Sequence, residues 1–171
     1  MVSKIIKHIG FAFIIIFFQI AVFNNLGVSA YVVPFIYPSI IISLARTANK
    51  SLVLLLGFSI GLIIDLFSNS GGTHAMGLTV MAFLQPHLLA SMGPSDSSAE
   101  KNQASIYSLG FKNYLVFALI LLFVHHFVVF TMEVFSFSNF NLTLIRVIFS
   151  TISSLVLLVL LQFIFVRKQK K

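Results

Sequence analysis

Long apolar runs, broken only by short polar stretches, constrain this chain more than any other feature. They start at about residues 5, 28, 51, 74, 114 and 142, and end at about 23, 45, 67, 92, 135 and 166. A run of roughly 20 apolar residues spans a bilayer as a helix, and backbone in lipid must satisfy its own hydrogen bonds. The expected fold is therefore all-α: one transmembrane domain over residues 1–171, a polytopic bundle of six transmembrane helices. Composition agrees, with 58% of residues hydrophobic and 9% charged, against roughly 25% charged in a soluble domain.

A net charge of +7 invites a nucleic-acid reading, but the distribution opposes it. Lys4 and Lys7 precede the first run, Arg46 and Lys50 follow the second, and Lys101 and Lys112 follow the fourth. Arg167, Lys168, Lys170 and Lys171 follow the sixth. Ten of the eleven basic residues thus fall on alternate polar stretches. The positive-inside rule puts that side, and both termini, in the cytoplasm. The bilayer, and not nucleic acid, is the expected partner. The first run is long for a signal peptide's apolar region, so it reads as a retained span.

Ionisable residues within such runs are costly, so each needs a reason. Asp65, Glu133 and Arg146 occupy the third, fifth and sixth runs. The alternating directions place all three in the extracytoplasmic half. They read as an intramembrane polar cluster in which the planar guanidinium bridges one or both carboxylates. Gly57, Gly61 and Asp65 recur every four residues, which sets them on one helix face. Gly57-x-x-x-Gly61 lets another helix approach closely, so this face is expected at a packing or partner contact. Pro34 and Pro38 in the second run are expected to kink that helix.

No enzymatic motif emerges. Cysteine is absent, which removes disulfides, thiolate ligands and a cysteine nucleophile. HExxH, GxGxxG and P-loop patterns are also missing. His125 and His126 are neighbours, so their side chains point about 100° apart on a helix and chelate poorly. His74, beside the Ser68–Thr73 loop, can join the Asp65 region. The histidines read as hydrogen-bonding core groups, with no metal and no cofactor expected.

The segment Gly57-Phe58-Ser59-Ile60-Gly61-Leu62-Ile63-Ile64-Asp65-Leu66, then Gly72-Thr73-His74-Ala75, then Leu78, Ala82, Phe83 and Leu84, resembles the MreD family. These are small multi-span proteins of the bacterial rod-shape system. The resemblance implies a non-enzymatic scaffold of the elongasome in the bacterial inner membrane. It would bind an MreC-type partner and link cytoskeletal filaments to lateral peptidoglycan synthesis. The family's six-helix layout is similar to that of the substrate-binding subunits of energy-coupling-factor transporters. That supplies the alternative, a small-molecule transporter subunit.

Overall fold

The computed structural model describes residues 2–25, 31–44, 48–92, 104–135 and 139–165, with side chains from Gly10 to Ile164. Arg46, Lys101 and the basic C-terminal run lie outside the described residues, as does most of the polar stretch after Met92. The described chain is all-helical. Its order is α1 (Val2–Ala21), a 3-10 turn (Phe23–Asn25), α2 (Pro38–Ile42), α3 (Lys50–Ser68), α4 (Thr73–Ser91), α5 (Ile106–Leu109), α6 (Phe111–Val134) and α7 (Phe140–Phe165). Three of these, α3, α6 and α7, are long and apolar enough to cross a membrane, and a shorter apolar stretch, Gly10–Asn25, runs from α1 through the 3-10 turn.

Local chemistry sets the ends of the long helices. Asn49 caps α3 by accepting from the Ser51 N–H at 2.9 Å. Asn69, with φ 52°, closes it in the left-handed region, where Asn is tolerated better than most residues. Gly71 and Gly72 follow at φ 63° and 97°, so the chain reverses within four residues into α4. Phe135 ends α6 at φ 42°. Inside the stretch expected to be a polar loop, Ser105 and Ser108 form a reciprocal capping box around the single-turn α5, which satisfies two otherwise orphaned N–H groups.

Helix α4 lies between α3 and α6, and α7 packs on the far side of α6. The α3–α4 pair is antiparallel, because Gly57 faces Leu78 and Ala82 while Gly61 faces His74 and Ala75. The α6–α7 pair is antiparallel as well: His126 meets Ser154 and Glu133 meets Arg146. Large apolar side chains point outward, among them Leu66, Phe13 and Phe67 at 81%, 71% and 66% exposure. Water would penalise this surface, whereas acyl chains would cover it.

The second apolar run departs from expectation. Among its described residues it is not one kinked helix: residues 33–36 are non-helical and Pro38–Ile42 form a helical turn. Two prolines four residues apart explain the break. Each lacks an N–H and disfavours helix at the residue before it. The freed backbone groups do not go unmet. Val33 N–H donates to Ser150 Oγ at 3.0 Å and Phe35 N–H to Ser154 Oγ at 2.8 Å. Ile36 N–H donates to Gln19 Oε1 at 2.7 Å, and Gln19 Nε2 donates to the Pro34 carbonyl at 3.4 Å. Spacing makes this fit possible. Two extended residues advance about 6.6 Å, close to the roughly 6 Å rise between residues one helical turn apart. Alternate N–H groups of this segment, residues 31–42 and hereafter the strap, therefore meet serines four apart on α7.

Candidate functional site

The three intramembrane charges divide between two jobs. Asp65, 6% exposed on the last turn of α3, turns to the start of α4. Its Oδ1 accepts from Ser70 Oγ at 2.5 Å and from the His74 N–H at 3.0 Å, and its Oδ2 accepts from the Ala75 N–H at 2.8 Å. A carboxylate against orphan N–H groups at a helix N-terminus gains both charge-assisted hydrogen bonds and the favourable end of the helix dipole. Asp65 thereby clamps the turn between α3 and α4.

Arg146 takes the other acid. Its Nη1 donates to Glu133 Oε2 at 2.8 Å, joining α7 to α6. The guanidinium also lies 4.2 Å from the centre of the Phe130 ring, within cation–π range. Of the cluster expected from sequence, Glu133 and Arg146 come together while Asp65 is engaged elsewhere. Aromatic rings stand between the two groups. Phe35 lies 5.0 Å from the His74 ring and 5.9 Å from Phe130.

The Gly57–Gly61–Asp65 face packs against α4 of the same chain. A Cβ on Gly61 would stand 2.3 Å from Ala75 Cα, and one on Gly57 would stand 2.8 Å from Ala82 Cβ. The close approach that the small-residue pattern anticipates is therefore intramolecular. The outward side of α3 carries Leu52, Leu55, Leu62 and Leu66 instead.

Sequence reasoning missed the centre of the bundle. Tyr37, fully buried just before α2, places its hydroxyl 2.7 Å from His74 Nδ1 and 2.6 Å from His125 Nε2. A single hydroxyl thus joins the strap to α4 and α6. Gly77 makes room for this, since a Cβ there would be 2.8 Å from His125 Nδ1. His126 points elsewhere, as the roughly 100° step requires. Its Nδ1–H donates to the Leu122 carbonyl at 2.7 Å and its Nε2 faces Ser154 Oγ at 3.2 Å. The Phe35 ring stacks on His126, with centroids 5.1 Å apart and planes at 15°.

The centre is a packed hydrogen-bonding core. His125 and His126 serve different partners, and no group of three or more metal-binding side chains gathers among the described residues. The sequence signal for it was faint: an apolar run with two prolines, and serines one turn apart in a distant run. Comparison with protein-family models, with curated proteins and with solved structures gives no match for this chain.

Proposed function

We propose that the chain is a non-enzymatic membrane scaffold of the cell-shape type. In this reading it crosses the bacterial inner membrane six times with both termini cytoplasmic. It binds an MreC-type partner and links cytoskeletal filaments to lateral cell-wall synthesis. The family part of the reading rests on the resemblance in residues 57–84.

One observation favours a scaffold over the transporter-subunit alternative. Both carboxylates that could line a charged pocket are committed within the chain, Asp65 to the start of α4 and Glu133 to Arg146. Such commitments fix helices relative to one another, which is what a docking platform requires. Because α4 takes the Gly57–Gly61 face, a partner would dock on the outward apolar faces instead.

Affinity purification from native membranes in mild detergent, followed by mass spectrometry, tests the proposal. Recovery of an MreC-type scaffold with wall-synthesis enzymes supports it. Recovery of ABC-type ATPases with a second membrane subunit overturns it in favour of the transporter.

A further inference from the structure

The hydrogen-bond pattern at the centre limits how much charge it can hold. His126 donates from Nδ1 to the Leu122 carbonyl, which leaves Nε2 to accept the Ser154 hydroxyl proton in the neutral ring. The Tyr37 hydroxyl carries one proton and touches two ring nitrogens. It donates to one of them, and that imidazole must be neutral. At most one of His74 and His125 can then be charged while the strap is seated.

Charged and titratable groups approach this centre from several elements. Asp65 comes from α3, His74 from α4, and His125, His126 and Glu133 from α6. Arg146 comes from α7, whereas α1 contributes the uncharged Gln19. Asp65 already accepts three hydrogen bonds and Glu133 is paired with Arg146. Among the described residues an imidazolium formed here finds no uncommitted counter-ion, and a buried charge without a partner is strongly disfavoured. Movement of the strap into a wetter position would relieve that cost.

We infer that the Tyr37–His74–His125 centre is an acid-sensitive lock, in which proton uptake by the imidazoles releases residues 31–42 from α4, α6 and α7. The strap suits release. Its backbone is held by side chains of Gln19, Ser150 and Ser154, so it can leave without unwinding any long helix. The magnitude follows from linkage. A wetted imidazole has an ordinary pKa of about 6.5, so at pH 5 its protonated form exceeds the neutral one about 30-fold. Each imidazole held neutral in the seated state then multiplies the released-to-seated ratio by about 30.

The absence of cysteine allows a direct test in the full chain in liposomes. Ser39 on α2 is buried and its hydroxyl has no hydrogen-bond partner. S39C is labelled with a disulfide reagent that stays reactive in acid, and N113C, on the exposed first turn of α6, corrects for the reagent. The expected S39C-to-N113C rate ratio rises about tenfold or more from pH 7.5 to pH 5.0. Y37F should give a high ratio at both pH values, and H74Q/H125Q should cut the rise sharply, leaving only what His126 contributes. If that double variant does not fold, H125Q alone should weaken the rise. A ratio that does not change with pH in the otherwise native chain overturns the inference, as does an undiminished rise in the histidine variants.

Discussion

Gly61→Ala is the sharpest probe of the α3–α4 clamp. The added methyl would stand 2.3 Å from Ala75 Cα and 2.7 Å from both Ala75 N and the His74 carbonyl oxygen. All three are backbone atoms, so no side chain can rotate away. Ordinary carbon–carbon contact begins near 3.5 Å, and α4 must retreat by about 1.2 Å to reach it. The same retreat would stretch the Asp65 bonds, now 3.0 Å to the His74 N–H and 2.8 Å to the Ala75 N–H, and carry the longer of them past useful length. Overpacking costs about 1–3 kcal/mol, and loss of one hydrogen bond to a charged group adds about 1.5–3 kcal/mol. A total of about 3–6 kcal/mol is a large share of the roughly 5–15 kcal/mol that usually holds a fold. Gly10→Ala is the matched control, because a methyl added there would meet nothing within 4 Å. Thermal unfolding of both variants in mild detergent measures the difference. A Gly61→Ala protein as stable as Gly10→Ala would refute the argument that α3 and α4 are in backbone contact.

Three further outcomes follow from the same contacts. Ser150→Ala and Ser154→Ala each strip the strap of an acceptor, for the Val33 or Phe35 N–H. Each should cost about 1–3 kcal/mol, with the double variant losing less than their sum because both release one segment, as a thermal double-mutant cycle reads. Glu133→Gln and Arg146→Gln should each destabilise more than the double change. Their coupling should be only about 0.5–1 kcal/mol, since the side chains are 27% and 29% exposed and solvent screens the pair. Asp65→Leu removes the acceptor for three donors and should cost about 3 kcal/mol or more. Partner recovery in the affinity experiment should fall with it, while wild-type stability and recovery would count against the clamp.

What the sequence made legible, and what it hid, separates along the range of the interactions. The all-helical architecture follows from apolar runs in which each residue's surroundings are set by its own segment. The Gly57–Gly61–Asp65 face was legible for the same reason: a four-residue repeat puts three residues in line whatever they meet. What they meet was not legible. Lipid, a partner helix and α4 all accept a glycine-lined face, and only the four-residue turn at Asn69–Gly72 folds α4 onto it. Asp65 was placed correctly on that face, yet its attraction to Arg146 lost to nearer donors. The N–H groups at the start of α4 lie nine and ten residues along the chain. They are held in place by the turn, whereas Arg146 had Glu133 one helix away. The strap marks the limit of this kind of reading. Pro34 and Pro38 announce trouble for a helix, but whether the run kinks or breaks depends on acceptors 117 and 119 residues away, on Ser150 and Ser154. A broken span in lipid is tolerable only when such acceptors exist. The decisive information was therefore a match of two spacings, alternate residues on an extended strand against one turn of a helix. Neither spacing stands out in its own segment, and the match becomes visible only when the two are set side by side.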